Sequence, residues 1–404
     1  MHGSFSKRLA RPSLIKSAVA AAVLAAAATP SLAFVAGAHT FLSVGIFGRF
    51  NVVTSGNFTA QHSDQQCGFA AGGDVLLKGG YSIGSARMNL VGDPSLTPIG
   101  LLVGKSLVWS DHPSGTIQGD VFIGQGANVS IAPDASVTLP APYTVNTITN
   151  SLAMQALDPE LWIGYAGNTV NAVFGQGNYN NVTVNNSGVT VHGPLPLVFQ
   201  AAYNSYLGDM ATKARVATAN GTTQVETHGG GKNIVLDGLN LKLKDMPGNM
   251  LPSGALNPNK PGAMRTVYIF DVNASDLSDA RYVGLRNAPA TDDSLQQIGQ
   301  SVSPDPTWTL VRVKANGQSS VTLANLGLQD FADRNRRVMW LFDDAITTIN
   351  LSAVGIEGTI VAPKAHVVAN NGNINGTILA KSFEGTMEGH CAPFFNYLDP
   401  VAGE

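Results

Sequence analysis

The densest group of charged side chains in this sequence is the run from Asp330 to Arg337, DFADRNRR. An arginine beside an aspartate could abstract a proton from an acidic sugar while carboxylates hold Ca²⁺, which is the chemistry of a polysaccharide lyase. The bland reading of the same run is a solvated turn leading into the apolar strand 338–342. A glycosidase would need two carboxylates at a set separation across a cleft. Asp74, Asp93, Asp111, Asp120, Asp237 and Asp343 are available, and nothing in their spacing brings any two together. The pairs Asp292-Asp293 and Asp343-Asp344 could help bind Ca²⁺, but neither lies in an EF-hand or a Gly-Gly-x-Gly-x-Asp repeat, so calcium has no assigned ligands. His62, His112, His192, His228, His366 and His390 are dispersed without the spacing of a zinc site. Neither a Gly-x-Ser-x-Gly elbow nor a phosphate-binding loop is present. No catalytic residue, cofactor-binding residue or cofactor is therefore assigned, and the chain is not expected to be an enzyme.

Two further residue types could do chemistry. Cys67 and Cys391 are the only cysteines, and they lie near the two ends of the folded part. In an oxidising compartment they could form a disulfide that staples the first coils to the last; the alternative is two separate buried thiols. Trp109, Trp162, Trp308 and Trp340 could offer stacking platforms for sugars. Trp340 sits inside an apolar strand and reads as core. Trp109, beside Ser110-Asp111-His112, is the candidate aromatic on a ligand-binding face.

The elements that must position these residues are mostly strands. The phrase Gly-Thr-Ile-Val-Ala-Pro from Gly358 returns eighteen residues later as Gly-Thr-Ile-Leu-Ala-Lys from Gly376, with Asn-Gly turn signals between. Such a period predicts one strand per coil of a β-helix, or β-solenoid, whose stacked coils bury the apolar face. Gly at 44 of 404 residues, about 11%, and 13% charged residues against roughly 25% in an average chain fit that class. Gly56, Gly73, Gly104 and Gly119 each precede a polar residue and a short β run; the 31-residue step between Gly73 and Gly104 reads as about two coils. One packed α-helix is predicted at about 195–217, with Val198, Ala201, Ala202, Tyr206 and Met210 as its stripe. Irregular insertions are placed around 141–193, 244–264 and 276–306, the last as a polar surface loop. Phe383, Phe394, Phe395 and Tyr397 are expected to cap the last coil.

Residues 1–33 read as a signal peptide. Lys7, Arg8, Arg11 and Lys16 precede an alanine-rich run too short to span a bilayer, and Ser31-Leu32-Ala33 offers small residues for cleavage after Ala33. The mature domain, 34–404, contains no transmembrane segment. A net charge of −3 supplies no basic face for nucleic acid. Secretion, with or without association to the cell surface, is the expected localisation.

Several segments resemble choice-of-anchor A domains. These are the opening from Phe50 (FNVVTSGNFT, then Asp64), Gly68 (GFAAGGDVLL) and Tyr81 (YSIG), and the helix with Pro196 and FQAAY from Phe199. The closing segments begin at Val338 (VMWLFDDA), Gly355 (GIEGTIVAP) and Asn375 (NGTILAKS). The resemblance covers about 40–400. It implies an exported, β-helical, adhesive surface module, some of whose relatives bind collagen and which is usually tethered by a C-terminal sorting signal. Residues 398–404 carry neither a sortase-type motif nor a hydrophobic anchor. The expected function is non-catalytic adhesion to an extracellular matrix protein or polysaccharide. A β-helical polysaccharide-degrading enzyme, lyase or glycosidase, is the first alternative. An ice-binding protein is the second, although only scattered Thr-x-Thr pairs (Thr147/Thr149, Thr307/Thr309) are present.

Overall fold

The twin phrases lie one above the other. Ile360, Val361 and Ala362 pair in parallel with Ile378, Leu379 and Ala380, so the eighteen-residue repeat is one step between neighbouring strands. At Gly376 a side chain would come within 2.2 Å of the Gly358 carbonyl oxygen below it, so the close stacking of this corner admits only glycine.

The computed structural model describes residues 42, 44, 47, 48, 50–85, 99–118, 120–123, 129–131, 145–147, 169–171, 177–179, 182–185, 203, 207, 208, 210–217, 219–238, 266–288 and 307–394. The chain divides into Met1–Ala38 and His39–Glu404, and all of these residues belong to the second unit. They are mainly β.

Most of the strands join three parallel ladders. Ladder one runs through Thr266–Asn273 (β15), Thr307–Lys314 (β17), Val338–Phe342 (β19), Thr359–Asn375 (β21) and Ile378–Gly385 (β22). It continues into Val52–Thr54 (β1), Phe69–Ala71 (β3), Ile99–Val103 (β5) and Asp120–Ile123 (β7). Ladder two runs from Ser320–Ala324 (β18) through Thr348–Glu357 (β20), β21 and β22 to Phe58–Gln65 (β2), Val75–Ile83 (β4), Leu107–Gln118 (β6) and Val129–Ile131 (β8). Ladder three joins the later parts of β20 and β21 to Glu388–His390 (β23), then to the later parts of β2, β4 and β6 and to Val182–Asn185 (β12). Gly177–Tyr179 (β11) closes on β12 as an antiparallel hairpin. Because β21 and β2 each turn a corner, β2, β22, β21 and β23 form a closed ring of pairings.

In all three ladders the first circuit of the chain lies directly on the last. Strands β1 and β2 sit on β22 and β23, so the order in space is not the order in sequence. Phe383 consequently does not cap an open end: it stacks under Phe58, ring centroids 5.2 Å apart, within the main core. Phe394 joins a second core cluster, and positions 395 and 397 lie outside the described residues. Strand β4 pairs directly with β6, so the step from Gly73 to Gly104 is a single circuit that includes 86–98, not two.

The outer side of ladder one is apolar, through Val53, Ala70, Leu102, Leu341, Val361 and Leu379, and belongs to that second cluster. Its cover is a helix, α1, with helical residues between 203 and 216. Buried Tyr203, Leu207, Met210, Ala211, Ala214 and Ala217 follow helical spacing. Met210 belongs to the predicted stripe, whereas 198, 201, 202 and 206 lie outside the described residues. Arg312 donates to the carbonyls of Ala214, Arg215 and Ala217 at the helix C-terminus and pairs with Asp271 at 2.7 Å. A cation there satisfies carbonyls that the helix leaves open and complements its dipole.

A three-stranded sheet, Thr222–His228 (β13), Gly231–Asp237 (β14) and Ala280–Arg286 (β16), adds to the lower end, with the short helix Ala274–Ser278 (α2) preceding β16. Positions 276–286 are therefore not a surface loop: Leu277, Ala280 and Val283 supply buried apolar side chains. Residues 289–306 and 244–264 lie outside the described residues. Of 141–193 the structure describes Val145–Thr147 (β9) and Thr169–Asn171 (β10), paired antiparallel, besides β11 and β12.

Candidate ligand-binding faces

With ladder one covered, the outer sides of ladders two and three hold the side chains available to a ligand. On ladder two, inward Val321, Leu323, Ile349, Leu351, Val367 and Ala369 are buried and the residues between them point outward. Register places Ser320, Thr348, His366 and Ser382 in one column and Thr322, Asn350, Val368 and Glu384 in the next. Successive rungs of such a ladder are roughly 4.8 Å apart, so this side is a regularly spaced, mostly polar array in which Val368 is the apolar member. His366 Nδ1 lies 2.8 Å from Ser382 Oγ.

Ladder three carries a chain of bonded polar groups. Asn335 donates to Glu357 Oε2 at 3.2 Å, and Asn375 donates to Glu357 Oε1 at 2.7 Å. His390 Nδ1 is 2.9 Å from Asn375 Oδ1, and its Nε2 is 3.6 Å from Glu388. Register puts Asp64 one rung above Glu388. Burial holds the Glu357 carboxyl above the usual carboxylate range, against the opposing pull of the Asn375 and Asn335 amides. Burial raises Asp64 as well, helped by the neighbouring Glu388 charge and opposed by His390.

Trp109 is not on either face. It is fully buried, and its indole N–H donates to the Gly79 carbonyl at 2.8 Å. Leu77 and Trp109 are paired inward-facing positions of β4 and β6, and that strand parity outweighs the polar neighbours that suggested exposure. Trp308 and Trp340 are buried too, and 162 lies outside the described residues. No tryptophan platform is thus available among the described residues.

The arginines of the 330–337 cluster are not solvated, as a surface turn would leave them. Gln329–Arg337 forms a 3₁₀ turn in which Arg334, Arg336 and Arg337 are buried. Asp330 accepts from the Tyr282 hydroxyl at 2.7 Å and the Leu285 amide at 3.0 Å. Burial, with this carboxylate's help, pushes the Tyr282 phenol up to about 12. Arg334 donates to the Ala288 carbonyl, and the Arg337 guanidinium lies 5.1 Å from the Trp308 ring. These charges fasten the turn to its neighbours. Asp343 caps its own turn, and Asp344 pairs with Arg215 of α1 at 2.6 Å. Among the described residues no three His, Cys, Asp or Glu side chains gather to hold a metal ion.

Cys67 and Cys391 are joined as a disulfide with Cα atoms 4.8 Å apart, at the seam between first and last circuits. The residue that sequence reasoning missed there is Asn51. It is fully buried and donates to the carbonyls of Gly376 at 3.2 Å and His390 at 2.7 Å. Its Oδ1 accepts from the Cys67 amide at 2.6 Å. Its only signal was a polar residue at the head of a β run. Gln65 and Thr377 add bonds across the same seam, to the carbonyls of Met387 and Phe50.

Among the described residues no helix is long and apolar enough to cross a membrane. No curated protein and no solved structure matches the chain at a significant level. A family model described as "Putative Ice-binding-like adhesive domain" matches residues 43–391, most of the chain, and the protein belongs to that family of adhesive domains.

Proposed function

We propose that this chain is an exported, non-catalytic adhesive module: a β-solenoid of stacked coils that holds an external matrix protein or polysaccharide on the outer sides of ladders two and three. The observation that carries the reading is the contrast between sides. Ladder one is sealed by α1, whereas ladder two points Thr348, Asn350, Ser352 and Asn370 outward at regular rungs. Many weak hydrogen bonds repeated at a fixed spacing suit an extended polymer better than a small ligand. Export through residues 1–33 and the finer likeness to choice-of-anchor A domains belong to the same proposal.

Ice binding is the second reading, favoured by the family description and the parallel ladder. It ranks lower because Thr309 of the Thr307/Thr309 pair is buried on covered ladder one, and the outward columns of ladder two interrupt their hydroxyls with Val368 and Glu384. The test is an array of matrix proteins and polysaccharides probed with the purified chain, with calcium and with EDTA, scored for retention and for released products. Saturable retention, lost in Asn350→Arg and kept in a substitution of exposed Glu226 on β13, supports the reading. Released oligosaccharide would replace it with the enzyme alternative.

A further inference from the structure

Strand order in this fold carries a mechanical consequence. In a stack laid down in chain order, the chain enters at one end and leaves at the other, and tension peels the end circuits first. Among the described residues the outermost strands of ladder one, β15 and β7, are interior stretches of the sequence, while β1 and β22 pair with each other in the middle. At that same level the disulfide closes a ring spanning 324 residues.

We propose that this arrangement is a load-bypassing clamp. Tension applied between the chain before Cys67 and the chain after Cys391 crosses the seam through the disulfide, and none of the strands between those cysteines lies in the load path. The inference rests on topology and would stand whether or not the ligand proves to be a polymer. Among the described residues the ladder strands outside the ring on the N-terminal side are β1 and β2. Each is held on two sides, β1 between β22 and β3 and β2 between β22 and β4, so neither can peel from an edge. Asn51 ties the start of this segment to Gly376, His390 and Cys67, and Gln65 ties its end to Met387. Drawing the segment out means breaking bonds to both neighbours at once. An adhesive module under shear would then stay folded at loads that open an end-loaded stack.

The experiment is single-molecule force spectroscopy on the full chain held at its two ends, oxidised and then reduced. In the oxidised protein the length released is confined to residues 1–66 and 392–404, at most about 270 Å at roughly 3.4 Å per residue. After reduction a further gain of about 1,100 Å is expected as the ring opens. Asn51→Ala, oxidised, should release the same short length at lower force. A release near 1,100 Å from oxidised protein would overturn the clamp. So would reduced protein that never yields the long gain, because the ladders alone would then be bearing the load.

Discussion

Asn51→Ala is the substitution that most directly tests how the first circuit is held on the last. The side chain is fully buried and makes three hydrogen bonds, two as donor to the Gly376 and His390 carbonyls and one as acceptor from the Cys67 amide. Alanine removes all three and leaves one N–H and two C=O groups without that partner inside the seam. An orphaned buried polar group costs about 1–3 kcal/mol, less for a carbonyl with a second lone pair engaged, so the expected loss is about 3–5 kcal/mol. Against a total stability of about 5–15 kcal/mol this is a large fraction. Asn51→Asp should be at least as damaging, because it turns the two donated bonds into oxygen facing oxygen in a buried site. The measurement is denaturant unfolding of oxidised protein, with Ser55→Ala as control. Ser55 reaches Lys381 across the same seam through an exposed bond of 3.5 Å, and its loss should cost under about 0.5 kcal/mol. If Asn51→Ala lost less than about 1 kcal/mol, the seam would not depend on these bonds and the reasoning would be wrong.

Three other outcomes are expected. Trp109→Ala should cost about 3–5 kcal/mol by opening a cavity under β4 and β6, while Trp109→Phe should leave ligand retention unchanged, both read by unfolding and pull-down on the same preparations. Gly358→Ala forces a side chain onto a backbone at φ +106° and within 2.7 Å of Val338 Cβ, so a loss of about 1–3 kcal/mol is expected in thermal unfolding. For Asp64 and Glu357 the folded protein raises the carboxyl above its ordinary value, so the folded state binds more protons than the unfolded one. Stability therefore increases as pH falls through the raised values and is complete below the ordinary ones; Glu357→Gln should flatten that slope in a pH series of unfolding curves.

The strand periods were legible because alternation and the repeated Gly-Thr-Ile phrase report a local property, which side of a strand faces the core. Spatial order was not legible. Nothing in Val52, Val53 and Thr54 distinguishes a strand that pairs with residues 378–380 from one that pairs only with the next circuit, since parallel ladders accept any β-forming neighbour. Trp109 was misplaced for a related reason: Ser110, Asp111 and His112 suggested a surface, but one residue of strand parity separates outward from inward. The arginines at 334, 336 and 337 misled in the opposite sense. Their charge implied solvent, while partners distant in sequence, Ala288 and Trp308, make burial tolerable.

Exposed strand edges explain why such an order is useful. A row of unpaired N–H and C=O groups at the end of a ladder is a template for aggregation. At the lower end of ladder one, Asn220 covers β15, donating to the Val267 carbonyl and accepting from the Ile269 amide, and Thr223 donates to Asp271 O. At the upper end of ladder three the β11–β12 hairpin turns the pairing antiparallel. Both covers are built from interior stretches of the chain, so they remain in place when segments before Cys67 or after Cys391 fray. At the seam, where the segment before Cys67 lies on β22 and β23, the fold concentrates its disulfide, its buried Asn51 and the stacked pair Phe58 and Phe383. Weakening the seam should thus raise aggregation through newly exposed β22 and β1 edges before it disturbs the outward columns on β18, β20 and β21, which lie on strands inside the ring.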